Sequence, residues 1–207
     1  MGNAKGVIAI IFCLLMLLGM MVYSIIQICA VGDKVTLDSF FEGSFEKGQY
    51  VEGTVINAAS EYASISHTVS FIPTGKEHFY IIFNEDYTKC AVVRADKDWD
   101  ENFRGVVDGV EISGMVRKLD YEVQRMFSTD VASLSAEGVS AVTVEYYIDC
   151  LSLRYSIMSL AASLIAVLCG VVMYLNRHKD VKSPVAAVAL VVLFADCVFA
   201  MHVLSMM

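Results

Sequence analysis

YSIMSLAASLIAVLCGVVMYL (residues 155–175), followed after the linker NRHKDVKSP (176–184) by VAAVALVVLFADCVFAMHVL (185–204), decides the architecture of this chain. Each apolar run is near or above the roughly 20 residues that a helix needs to cross a bilayer core, and neither contains Lys or Arg. A third run, VIAIIFCLLMLLGMMVYSIIQICAV, occupies residues 7–31. It is much longer than the apolar core of a secretory signal and lacks a small-x-small cleavage pattern, so an anchor is expected. The expected division is therefore 1–31 (first span), 32–154 (soluble domain) and 155–207 (transmembrane hairpin).

The charge distribution gives the expected orientation. Arg177, Lys179 and Lys182 crowd the short linker, and Lys5 precedes the first span. Short loops rich in Lys and Arg stay in the cytoplasm. The linker and the N-terminus are thus expected inside, with the domain and the C-terminus outside a plasma membrane. Only 18% of the chain is charged, against about 25% in a typical soluble domain. The acidic side chains concentrate between residues 32 and 153, where 21 of them face 10 basic ones. A domain of net charge −11 is a poor ligand for nucleic acid or anionic headgroups.

Within residues 32–154, alternation and turn residues mark strands more clearly than helices. Strands are expected at 49–56, 64–71, 78–83, 89–94, 110–119 and 139–150, with a turn at 84–87. Asp96 and Asp120 are expected to cap helices, the second burying Val123, Met126 and Phe127. Gly53 and Gly114 interrupt two strands, and a strand glycine implies a sharp bend or a close backbone approach. The fold class expected is α+β: three transmembrane helices with a small OB-like barrel inserted between the first two.

The patterns GQYVEGTV (48–55) and VEISGMV (110–116), with DKDW (96–99), resemble uncharacterised membrane proteins of Gram-positive bacteria carrying a helix-anchored OB-fold-like domain. The similarity spans roughly residues 45–118. It implies a bacterial source and a barrel fold, and it transfers no catalytic residue. An OB surface often binds oligosaccharides or oligonucleotides. Tyr50, Tyr62, Phe79 and Tyr80 are the aromatic candidates, with core packing the favoured role for each.

No catalytic motif stands out: Gly-x-Ser-x-Gly, the phosphate-binding loop, His-Glu-x-x-His and Cys-x-x-Cys are all missing from the sequence. No metal or cofactor is expected; a meeting of His67, His78 and Glu77 at a metal is the remote exception. A single bridge among Cys29, Cys90 and Cys150 is chemically allowed outside the cell, free thiols being the favoured state.

Asp196 is different, because an ionised carboxylate inside a span is expensive. Ser163 is its expected hydroxyl partner, matched in depth. Ala162, Ala166 and Gly170 form a small-residue stripe that would let helices approach closely. The expected function is a non-enzymatic, membrane-anchored binding or assembly module, with the bilayer and a protein partner or a second copy as its contacts. The alternative is a small transporter, or a transporter subunit, that uses Asp196.

Overall fold

The computed structural model describes residues 2–59, 61–69, 72–97, 99–103, 109–175, 188, 191–193 and 195–196. Two compact units emerge: Met1–Ile28, Thr68–Gly75 and Arg154–Met207 form one, and Cys29–His67 with Lys76–Leu153 form the other.

The second unit is a mixed sheet. Its strands are β1 (Lys34–Thr36), β2 (Tyr50–Val55), β3 (Asn57–Ala58), β4 (Ala63–Val69), β5 (Ile72–Phe83), β6 (Lys89–Ala95), β7 (Val110–Lys118), β8 (Ser140–Ala141) and β9 (Tyr146–Asp149), the end of β4 and the start of β5 falling within Thr68–Gly75 of the first unit. The hydrogen-bonded order is β1-β2-β7-β9-β6-β5-β3, with β4 on β5 and β8 on β6. Pairs β1–β2 and β6–β9 are parallel, while β2–β7, β7–β9 and β5–β6 are antiparallel. Among the described residues this ladder is an open path from β1 to β3, where a small barrel would close on itself.

Most strands fall where alternation predicts them. The expected final strand at 139–150 instead divides into β8 and β9. Strand β1 and the short helix after it go beyond the sequence expectation: residues Leu37–Phe41 form a helix capped by Thr36, whose hydroxyl accepts from Ser39 N at 3.2 Å. With the long N-terminal helix Gly2–Cys29 as α1, this short helix is α2, followed by α3 (Tyr121–Ala136) and α4 (Ser152–Leu175).

Both sheet faces are buried. Residues of one parity (Val51, Val55, Tyr80, Val93, Val116 and Ile148) pack with Leu37, Phe40 and Phe41 of α2. The other parity (Phe79, Ile81, Cys90, Val92 and Tyr147) packs with Val123 and Phe127 of α3. Asp120 caps α3 as expected, accepting from Glu122 N. Met126 is 46% exposed, a correction to its expected inward placement. It follows Arg125 on the outward face and lies about 100° from Phe127 around the helix. Asp96 caps no regular α-helix; a single 3-10 turn at Trp99–Phe103 follows it. Its carbonyl accepts from Tyr80 Oη at 3.0 Å.

The two strand glycines are close-approach positions. A Cβ on Gly53 would lie 2.5 Å from Leu37 Cβ, so α2 can sit on β2 only where that side chain is missing. A Cβ on Gly114 would lie 2.6 Å from Ile148 Cγ2 and 2.9 Å from the Asp149 carbonyl.

In the first unit, α1 and α4 are long and apolar enough to cross a membrane. Their polarity is the reverse of a water-soluble helix. Leu15 and Leu168 are 62% and 65% exposed, whereas Ser24, Ser156, Ser159 and Ser163 are buried. Water would reward the opposite arrangement. Of the expected third span, the described residues Val188, Val191–Leu193, Ala195 and Asp196 are helical. The linker with Arg177, Lys179 and Lys182 lies outside the described residues, as does the Lys5 side chain.

Candidate functional site

Strand register assembles a buried charge cluster that no motif announces. Tyr50 pairs with Met115, Met115 with Asp149, Asp149 with Arg94, and Arg94 with Phe79. Directly paired residues share a face of the sheet. This row therefore lies on the face that α3 covers, and Arg117 opposite Tyr147 forms the next row. Glu77, two residues before Phe79, joins from β5.

Arg94 is 1% exposed, the largest fully buried side chain among the described residues, and Asp149 is 0% exposed. Arg94 Nη1 lies 2.9 Å from Glu77 Oε1, and Arg94 Nε lies 3.5 Å from Asp149 Oδ1. Arg117 Nε lies 3.0 Å from Asp149 Oδ2. Two cations thus face two anions, which is the condition for keeping charge out of water.

Asp149 also starts α4. Its Oδ1 accepts from Leu151 N at 3.1 Å, and its carbonyl accepts from Ser152 Oγ at 2.9 Å. Tyr50 Oη lies 3.2 Å from Ser152 Oγ, extending the network to β2. One carboxylate is therefore both a counter-ion and a helix cap.

The electrostatics follow from burial. Burial pushes the Asp149 carboxyl upward, and Arg94, Arg117 and the amides of Leu151 and Ser152 pull it back. Burial opposes the Arg94 charge, but Asp149, Tyr147 and Glu77 outweigh it and hold the guanidinium above its ordinary range. Burial likewise raises the Tyr50 and Tyr147 phenols. The cluster can hold charge, but Arg94 and Asp149 are too enclosed to meet a substrate.

A smaller pair lies elsewhere on the sheet. His78 Nδ1 is 3.1 Å from Glu61 Oε2, with Lys76 Nζ 3.9 Å from Glu61 Oε1. Partial burial would raise the Glu61 carboxyl, yet His78, Ser64 and Lys76 together hold it below its ordinary value. Glu77 and His78 are sequence neighbours on β5 and point to opposite faces, so they cannot converge on a metal. The His67 side chain lies outside the described residues. Among the described residues no group of three or more metal-ligating side chains occurs.

The aromatic candidates are core residues. Tyr50, Phe79 and Tyr80 are buried, and Tyr62 stacks edge-on against Phe127 at 6.0 Å. None offers an open platform for a sugar. Cys29, Cys90 and Cys150 are free thiols, so the allowed bridges are not formed. Cys90 and Cys150 belong to the cores on opposite faces of the sheet, which explains why they do not meet. Burial pushes their thiols up to about 11 and about 12.

In the first unit, Asp196 is 8% exposed. The Ser163 hydroxyl donates to Ser159 O at 2.9 Å within its own helix, leaving its lone pairs to accept from elsewhere. Ala162 and Ala166 of the expected stripe are buried. Gly170 is exposed, and a Cβ there would meet nothing within 4 Å. The buried seam of α4 instead runs through Ser156, Ser159, Ala162, Ser163, Ala166 and Cys169.

Arg94 and Asp149 carry the cluster, and neither stands out by motif. Their signal is local: a lone Arg inside the apolar strand CAVVRA (90–95), and a lone Asp directly before an apolar helix. No protein-family model matches the chain, and comparison with curated proteins and with solved structures finds no match either.

Proposed function

We propose that this chain is a non-enzymatic, multi-pass membrane protein whose sheet domain serves as a binding or assembly module. Three spans anchor it in a plasma membrane, with the N-terminus and the linker at 176–184 in the cytoplasm and the sheet domain outside. The observation that carries this reading is the inverted polarity of α1 and α4, with leucines outward and serines buried. Lipid tolerates that arrangement and water does not.

The sheet domain supports a scaffold rather than an enzyme. Its buried Arg94 and Asp149 charges are paired, and the aromatic candidates Tyr50, Phe79 and Tyr80 are spent on core packing. A protein partner or a second copy of this chain fits such a domain better than a glycan does, and the acidic surface disfavours nucleic acid. Gly53 and Gly114 are compatible with an OB-like module, whereas among the described residues the strand path stays open where a barrel would close. Mild-detergent purification from the native membrane tests the assembly role. A stoichiometric partner or a discrete homo-oligomer is expected, and a partner-free monomer would sink it.

The second reading, a transporter or transporter subunit, is favoured by one feature: the enclosed carboxyl of Asp196. Three spans are few for a complete path, so this reading also requires oligomerisation.

A further inference from the structure

Counting from the ends that adjoin the sheet side, each of the three spans carries one buried polar side chain at the same depth. Ser24 is seven residues from Val31, Ser163 is eight from Tyr155, and Asp196 is eight from Leu204. At the rise of an α-helix these offsets are about 10–12 Å, inside the outer half of a hydrocarbon core roughly 30 Å thick. All three side chains are at least nine-tenths buried. The coincidence rests on the three-span reading above, because only an up-down-up path brings those ends to one side.

The three groups are chemically matched. Ser24 Oγ is fully enclosed and has no hydrogen-bond partner among the described residues, a situation that buried hydroxyls ordinarily avoid. Ser163 has used its proton on Ser159 O and presents oxygen lone pairs. Asp196 supplies the charge. Oxygen donors around one carboxylate are the ligand type that suits hard cations and protons.

The approach is graded as well. Ser156 and Ser159 are buried above Ser163 on α4, toward the sheet side. Gln27 occupies the level of Ser159 on α1, by the same count of four residues from the span end. On α4 the buried side chains from Ser156 to Ser163 are thus three serines and Ala162, whereas Leu164, Ile165 and Leu168 are exposed.

We propose that Ser24, Ser163 and Asp196 form an intramembrane site for a single positive charge, loaded from the side of the sheet domain. In the proton-loaded form the Asp196 carboxyl is neutral. Binding of an alkali ion would release that proton, leaving a carboxylate–cation pair, so charge and atoms balance in the exchange.

The test uses the full-length protein in lipid nanodiscs and the infrared carbonyl band of a protonated carboxyl, assigned by its loss in Asp196→Asn. The band should disappear as pH rises. Ser24→Ala and Ser163→Ala should each move the midpoint by about one pH unit, a tenfold change in proton affinity. Adding sodium chloride in place of choline chloride at constant ionic strength separates the two sources of charge. A lower midpoint in sodium identifies an alkali ion, and an unchanged midpoint identifies the proton alone. A band that does not titrate, or that ignores both serine substitutions, would overturn the site and leave Asp196 as a static structural group. The three-span reading fails separately, if tags at the two chain ends report from the same side of the membrane.

Discussion

Asp149 Oδ2 lies 3.0 Å from Arg117 Nε, and Oδ1 of the same carboxylate accepts from Leu151 N, just ahead of α4. A single side chain thus neutralises buried cations and begins an apolar helix. Removing it leaves Arg94 without a full counter-charge in a place water does not reach.

Asp149→Ala is therefore expected to destabilise the protein by about 3–5 kcal/mol, the usual penalty for orphaning a buried charge. Asp149→Asn can still cap α4 and should fall between. Because Arg117 is 15% exposed, Arg117→Ala should cost less than Asp149→Ala, and the double variant less than the sum of the two. Thermal or denaturant unfolding of the full chain in detergent measures all four.

The glycines make a contrasting set. Gly53→Ala and Gly114→Ala drive a methyl group to 2.5 Å and 2.6 Å from Leu37 and Ile148, and each should cost about 1–3 kcal/mol through overpacking. Gly170→Ala meets nothing within 4 Å and should be neutral or mildly stabilising. Equal effects at all three positions in the same unfolding assay would contradict these contacts.

Much of this was legible in the sequence, and the failures share a physical cause. Alternation places β2, β4, β6 and β7 within a few residues, whereas β5 begins at Ile72, six residues before its expected start; glycine in the midst of a strand correctly announces close approach. Strand order is set by non-local pairing, so the open path and the parallel β6–β9 pair had no local signal. Arg94 and Asp149 are 55 residues apart in sequence and become partners only through that pairing. Met126 falls outside the buried face because periodicity alone does not say how wide a helix face is buried.

Acid should weaken the fold partly through Glu61. Its folded carboxyl sits below the ordinary value of 4.5, so its stabilising contribution is complete above that pH and disappears as pH falls through the folded value. The stability gap between wild type and Glu61→Gln should be full at neutral pH and close progressively below pH 4.5. A gap that widens on acidification would contradict the His78 and Lys76 contacts.

Thiol reactivity should separate the cysteines. Cys29 is exposed, while Cys90 is buried and the thiols of Cys90 and Cys150 are held up at about 11 and about 12. Since the thiolate is the reactive form, a brief maleimide pulse on the folded protein should modify Cys29 before Cys90 or Cys150. Peptide mass spectrometry reads the order, and early labelling of Cys90 would place it on the surface.

Tag accessibility in intact cells decides whether the chain crosses the membrane three times with the sheet domain outside. A C-terminal tag should bind antibody without permeabilisation, and an N-terminal tag only after it. Two tags exposed on the same side, or a protein released from membranes by alkaline carbonate, would contradict the account.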